Sequence, residues 1–338
     1  MSRLAEIDSL EVVVIVDNEV DPMSPCMHPS VQASGGMRDI SMKSTIHPEN
    51  RGGANFELRM DNICCGAHGL SLMITAVQGE KRRTVLFDTG PEEDTWERNV
   101  RRLRPNLASI KLIQLSHWHR DHSGGMLRAI RMIHTAKGPS EDRVIVDVHP
   151  NRPDYRGIMA TGPVSLEADP SFEEIKATGA ILSRPNEPHT VLDDMFLISG
   201  EIPRVTPYET GFKRGIRFDS SKGTWKKDEL ILDERFLMCN LKGKGVVVFT
   251  GCSHAGAINA SKHAMQFSEG SPLYCVVGGY HLADAEVSQI QETVRDFRKL
   301  GPKILIPGHC SGWRVKYEIE KKMPGCLVPS FVGSKFIL

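Results

Sequence analysis

Ser116-His117-Trp118-His119-Arg120-Asp121-His122-Ser123-Gly124-Gly125 is the stretch on which the reading of this chain turns. It sets four potential metal ligands, His117, His119, Asp121 and His122, within six residues, directly after the apolar run 111–115. Histidines at i and i+2 of an extended chain point the same way. The following turn can swing Asp121 and His122 toward a neighbouring point, so the stretch predicts two adjacent cation positions. Imidazole nitrogen and carboxylate oxygen suit zinc, iron and manganese, with positions left open for water. That is a catalytic arrangement rather than a closed structural one. Ser123-Gly124-Gly125 then opens a stretch with Met126, Leu127, Ile130 and Ile133 at helical spacing, whose first N–H groups are expected to face an anion.

Working outward, short apolar runs at 12–16, 70–77, 84–87, 112–115, 144–148, 196–199, 236–241, 246–250, 273–277 and 304–307 read as strands. Lys242-Gly243-Lys244-Gly245 is a turn signal that makes a hairpin of 236–241 and 246–250. Helical spacing recurs in Trp96, Val100 and Leu103, and in Val287, Ile290, Val294 and Phe297. Strands alternating with helices describe a layered α/β domain whose loops carry the chemistry. Residues 21–55, 151–194 and 204–229 break the pattern and read as long loops or lids. With no repeat, heptad or convincing linker, residues 1–338 read as one catalytic domain with those insertions.

Further ligands are expected at downstream strand ends. Gly251-Cys252-Ser253-His254-Ala255-Gly256 follows the run 246–250, and Pro307-Gly308-His309-Cys310 follows 304–307. His254 and His309 are therefore chosen to complete the two positions, one shared by His117 and His119, the other by Asp121 and His122. His281, in Gly278-Gly279-Tyr280-His281, also ends a strand. It is able to bind metal, orient substrate or act as an acid, and the sequence leaves these roles open. His28, His47, His68, His134, His149, His189 and His263 lack such context and read as structural or surface residues.

Composition narrows the class. Lys plus Arg and Asp plus Glu stand at 42 each in 338 residues, so no global field gathers nucleic acid or holds the chain on an anionic membrane. No stretch approaches the roughly 18 consecutive apolar residues of a membrane span. The N-terminus lacks a cleavage-like small-residue site, so a soluble, cytoplasmic protein is expected. The eight cysteines contain no CxxC pair and read as reduced thiols. Lys213, Arg214, Arg217, Lys222, Lys226 and Lys227 make a local basic excess, which either meets an anionic small molecule or is a solvated loop.

The spacing of His117, His119, Asp121 and His122, with Phe87-Asp88-Thr89-Gly90 upstream, resembles the signature of the metallo-β-lactamase superfamily. Asp61-Asn62, His68-Gly69-Leu70-Ser71, Gly200-Glu201-Ile202-Pro203-Arg204, the run at 251–256, Gly278-Gly279-Tyr280-His281-Leu282 and Gly308-His309-Cys310 narrow the resemblance. They are similar to the dihydropterin-ribofuranosylaminobenzene-phosphate-synthase-like branch. The resemblance implies an αββα sandwich, two central mixed sheets flanked by helices, around two divalent metal ions, zinc first, with manganese or iron accepted. It implies that Asp88 fixes histidine tautomers behind the ligands. Glu201 stands where other members place a ligand histidine, and is either a ligand or the residue that positions Arg204. Cys252 stands where many members carry a bridging aspartate; on its own terms it is a core thiol beside the ligands. Trp118 is expected at the pocket rim, stacking on a flat ligand, or else in the core.

Two metals about 3.5 to 4 Å apart bring water toward ionisation at neutral pH and polarise an electrophile. The expected reaction is metal-dependent hydrolysis of an ester, lactone, thioester or phosphoester, with Asp121 orienting the nucleophile and His281 facing the oxyanion. The alternative is a pterin-related transferase of the synthase type, losing pyrophosphate.

Overall fold

Alternation along the strands settles which face each one buries. In Leu237–Leu241 and Gly245–Thr250, Leu237, Cys239, Val247 and Phe249 turn to one side, while Met238, Val246 and Val248 turn to the other. The computed structural model describes residues 3–44, 51–139 and 142–338; His47 and part of the segment 21–55 lie outside them. Among the described residues, one sheet has seven strands and a second has eight. The first side of the alternation joins Val12, Val14, Leu72, Ile74 and Phe87 of the second sheet in a core between the sheets. Burying each such side chain contributes about 1.5–3 kcal/mol, which is why both faces of both sheets are apolar.

The outer faces are covered by helices. Met238, Val248 and Val276 pack under Ile258, Val294, Phe297 and Ile319 of the helices Ala257–Gln266, Val287–Leu300 and Trp313–Lys322. Leu86, Ile113 and Val146 of the other sheet pack under Trp96 and Val100 of Glu93–Leu103 and Ala129 and Ile133 of Met126–Lys137. The layers are αββα, as the resemblance implied.

Pairing explains where the site lies. In the first sheet, Gly245–Thr250, Leu273–Gly279 and Ile304–Gly308 run parallel; in the second, Lys81–Phe87, Ile110–Gln114 and Ile145–Asp147 do. Parallel neighbours need crossovers, and the helices above supply them. Asp88, the run 116–122, Cys252, His254, His281 and His309 all follow the C-terminal ends of these strands, where crossover loops of an α/β fold gather ligands. The expected hairpin is present, with Leu241 opposite Gly245.

The three irregular segments carry more structure than the sequence predicts. Arg156–Met159, Pro163–Ser165, Gly215–Asp219 and Thr224–Lys227 pair into a separate four-stranded sheet, and Gln32–Ser34 forms the edge of the eight-stranded one. Their hydrophilic sequences hid these strands. What stabilises them is an aromatic cluster, with ring centroids 6.1 Å apart for Tyr155 and Phe218 and 5.4 Å for Phe218 and Trp225, together with buried Arg156.

Candidate metal centre

The turn after Ile110–Gln114 is held by acceptors that fix each ring. Asp88, at the end of Lys81–Phe87, accepts from the Ser116 N–H and hydroxyl, both at 2.7 Å, and from His122 Nδ1 at 2.7 Å. Because the Ser116 hydroxyl proton goes to Asp88, Ser116 Oγ accepts from His117 Nδ1 at 2.9 Å. His117 and His122 thus turn their Nε2 lone pairs inward. Asn18 does the same for His309. Its Oδ1 accepts from the Gly69 N–H at 3.1 Å, which settles the amide orientation, and from His309 Nδ1 at 2.9 Å.

These rings converge in two groups. His117 Nε2 and His254 Nε2 lie 2.9 and 3.2 Å from His119 Nδ1. Asp121 Oδ2 lies 3.5 Å from His122 Nε2 and 3.3 Å from His309 Nε2. Cys252 Sγ is 3.1 Å from His122 Nε2 and 3.2 Å from His309 Nε2, and it also groups with His117 and His254. The sequence reading set Cys252 beside the ligands. The structure puts its sulfur among them, common to both groups, because the tight turn at Gly251-Cys252 aims it between the sheets.

Imidazole nitrogens, a carboxylate oxygen and a sulfur converging within hydrogen-bond distance of one another are a donor set that fits a cation. Burial, with the neighbouring imidazoles, holds His117 and His254 well below the usual histidine range. Burial and Arg156 bring His119 down to about 3. These rings are neutral donors. On the Asp121 side, burial alone would lower His122 and His309, but Asp121 and Asp88 lift His122, and Cys310 and Asp121 lift His309. On that side a cation binds in competition with protons. Asp88, Ser253, His281 and His309 all have left-handed backbone, at φ 58, 63, 49 and 48°. Each costs about 1–3 kcal/mol, and four such residues just past the C-terminal ends of strands of the two sheets mark a functional site.

Other expected residues fall in different places. Glu201 is exposed and belongs to none of the donor groups found among the described residues. The glutamate at the site is Glu234, fully buried, accepting from the His254 and Ala255 N–H groups at 2.9 and 2.6 Å. Arg204 donates to the His254 and Leu230 carbonyls and so braces the ligand loop. Trp118 is not at the rim. It is fully buried against Phe172, with its indole N–H on the His149 carbonyl at 2.8 Å. Its backbone is clamped between Asp233, 2.8 Å from its N–H, and Arg156, 2.7 Å from its carbonyl. The N–H groups of Ser123, Gly124 and Gly125 bond to His119, Arg120 and Gly90 carbonyls, so no free anion cradle opens there. Of the basic loop, Lys226 pairs with Asp219, Lys227 with Glu229 and Arg214 with Asp284 at the surface.

His281 lies beside the first group, its ring centroid 4.4 Å from that of His254. Phe212 covers both, at 6.0 Å from His254 and 5.6 Å from His281. Its turn depends on Gly211 (φ 93°), where a Cβ would stand 2.3 Å from the Glu229 carbonyl oxygen. His68 was missed by the sequence reading. Its ring is 4.9 Å from that of His309, its Nε2 is 3.5 Å from Asp121 Oδ2, and Asn18 Nδ2 donates to its Nδ1 at 3.0 Å. Its context comes from Asn18, Asp121 and His309, all distant in sequence, so nothing beside it in the chain marks it.

The αββα layers, with the donor cluster lying between the two sheets, have the metallo-β-lactamase fold that the resemblance implied. A metal-dependent hydrolase of the β-lactamase superfamily, Tm1679, superposes with a TM-score of 0.67 over 96% of this chain and 98% of its own, at 21% identity. The narrower similarity is to 7,8-dihydropterin-6-methyl-4-(β-D-ribofuranosyl)-aminobenzene-5'-phosphate synthase of Methanocaldococcus jannaschii. It is 29% identical over 260 residues, 74% of this chain and 82% of the relative. An uncharacterized protein of the same organism is 29% identical over 256 residues, 75% of this chain and 88% of its own. No family model matches the chain.

Proposed function

We propose that the protein is a metal-dependent hydrolase that cleaves an ester, lactone, thioester or phosphoester in a small, anionic substrate. The observation that carries this reading is the pair of donor groups, His117/His119/His254 and Asp121/His122/His309, joined at Cys252. Two divalent ions there, zinc first, would supply Lewis acidity to the electrophile and bring water near ionisation at neutral pH. The chain's own residues do the rest. The Asp121 side chain is 21% exposed and is the carboxylate at the open side of the cluster, placed to accept a hydrogen bond from the attacking water. His281, half-buried beside His254, is placed to hold the developing negative charge. Phe212 closes the neighbouring wall against bulk water, and Lys213, exposed just beyond it, gives an anionic group a counter-charge.

The identity to a pterin synthase favours a second reading, transfer with loss of pyrophosphate from a pterin-like electrophile. Product analysis separates the two. The purified metal-loaded protein is incubated with an ester, lactone, thioester and phosphodiester panel, and separately with a dihydropterin diphosphate and an arylamine ribose phosphate. Hydrolysis that disappears in His117→Ala supports the first reading. Pyrophosphate release coupled to a C–N or C–C condensation product, with the panel untouched, overturns it in favour of the second.

A further inference from the structure

Cys252 belongs to a third group as well. Its Sγ, a ring nitrogen of His281 and the Sγ of Cys310 lie within 4.8 Å of one another. They arrive from three different loops, after Gly245–Thr250, Leu273–Gly279 and Ile304–Gly308, and these loops are tied together. The Cys310 thiol approaches the Cys252 carbonyl at 3.5 Å, the Leu282 and Ala283 N–H groups donate to the Cys310 carbonyl at 3.2 Å, and Ser253 Oγ donates to the Gly279 carbonyl at 2.7 Å. Space for the two sulfurs is kept by Gly279, where a Cβ would stand 2.7 Å from Cys310 Sγ and 3.2 Å from Cys252 Cα.

Buried thiols are often mere apolar filler, as Cys239 and Cys275 are in the core between the sheets. This pair differs in its company. His281 brings a buried Nδ1 that has no hydrogen-bond partner among the described residues, on a residue held in left-handed backbone at φ 49°. An orphaned buried imidazole nitrogen costs about 1–3 kcal/mol unless something satisfies it. Two sulfurs and an imidazole are the donors preferred by zinc and other thiophilic cations, and are poor ligands for manganese or magnesium.

We propose that Cys252, His281 and Cys310 form a third cation position, next to the two of the proposed function and sharing Cys252 with them, that takes a thiophilic d10 cation such as zinc or cadmium. With bonds of about 2.3 Å to sulfur and about 2.0 Å to nitrogen, tetrahedral donors stand about 3.3–3.8 Å apart, so these three need to close by at most about 1.5 Å. Binding exchanges the thiol protons for the cation, and the protons leave to solvent. A bound cation there also draws Cys252 away from the other two groups, which makes the occupancy of the third position a determinant of how the first two are bridged.

Cadmium is the probe, because thiolate-to-cadmium charge transfer absorbs in the ultraviolet and counts sulfur ligands. The purified protein is saturated with cadmium, freed of unbound ion, and analysed for total metal per chain beside Cys310→Ala, Cys310→Ser and His281→Ala, each checked for fold by circular dichroism. About three equivalents are expected in the parent and about two in each variant, with the absorption band falling by roughly half in both Cys310 variants. Equal metal content in parent and variants overturns the proposal. A weaker band with unchanged metal content also overturns it, because Cys310 then serves one of the first two cations. The same holds if folded Cys310 variants lose all metal. Failure of the two-group reading is a separate result: metal content that does not respond to Asp121→Ala combined with His122→Ala.

Discussion

The two halves of the metal centre use the same kinds of donor but are supported differently. On the Asp121 side every imidazole is tied at its outer nitrogen, His122 by Asp88 at 2.7 Å and His309 by Asn18 at 2.9 Å, and Asp17 holds the His309 backbone N–H at 2.9 Å. On the other side, among the described residues, only His117 is tied, through Ser116, while His254 Nδ1 is buried without a partner. Partners behind a ligand raise its basicity and fix its aim, typically by 10–100-fold in metal affinity. The Asp121 half also carries the carboxylate. On the proposed two-cation reading, the difference teaches that the Asp121 half is built to hold a cation and the His254 half to exchange or adjust one.

The sharpest way to break that asymmetry is at its carboxylate. Asp121→Asn keeps the shape and removes the charge, and kcat/KM for the substrate found in the product screen is expected to fall by about 10²–10³-fold with the circular dichroism unchanged. A loss under threefold would contradict the role given to Asp121. Asp88→Ala should loosen one ring in each half, His122 directly and His117 through Ser116, while His309 keeps Asn18. It strips His122 Nδ1 and the Ser116 N–H of their acceptor, so metal affinity measured by competition with a chelator is expected to drop by about 10–100-fold. Retention of parental affinity would show that the outer partners do not set the difference.

The backbone between His117 and His119 gives a smaller, pH-dependent handle. Burial alone would raise Asp233, but Arg156 holds it down to about 2. A carboxyl lowered from 3.8 stabilises the fold above its unfolded value, and that contribution is lost as pH falls from about 4 toward 2. The loss is on the order of 2 kcal/mol. Urea unfolding followed across that range should show the acid limb in the parent and a flatter one in Asp233→Asn; parallel curves would remove Asp233 from the account. Smallest is Phe212→Ala, expected to change KM by about three- to tenfold through lost apolar contact while metal content stays the same. A fall in metal content would mean that Phe212 supports the ligands rather than the pocket.

Much of this was legible in the sequence where burial and chemistry coincide. All ten apolar runs are strands, and the turn from His117 to His122 with His254 and His309 forms the two donor groups. Legibility failed where polar residues are buried or apolar periodicity is thin. Asp233-Glu234-Arg235 looks like a solvated charge run, yet all three are buried, each against a partner distant in sequence. The helix Ala257–Gln266 buries small residues, Ala257, Ala260, Ser261 and Ala264, that carry little hydrophobic signal, and Trp313–Lys322 buries chiefly Val315 and Ile319. Glu201, which the resemblance offered either as a ligand or as the residue that positions Arg204, follows Phe196–Ile198, a strand that pairs antiparallel with Leu237–Leu241 and does not end among the parallel strands that carry the ligands. Trp118 could not be placed by spacing alone, since its burial depends on Phe172, Arg152 and the small four-stranded sheet behind it.

The central claim is that two cations sit in two donor groups of different character, and metal content by elemental analysis tests it most directly. In zinc-loaded protein about two equivalents or more are expected, with the Asp121→Ala, His122→Ala double variant losing one equivalent and keeping that of His117, His119 and His254. An unchanged metal content in the double variant, or no metal in either protein, would contradict the account.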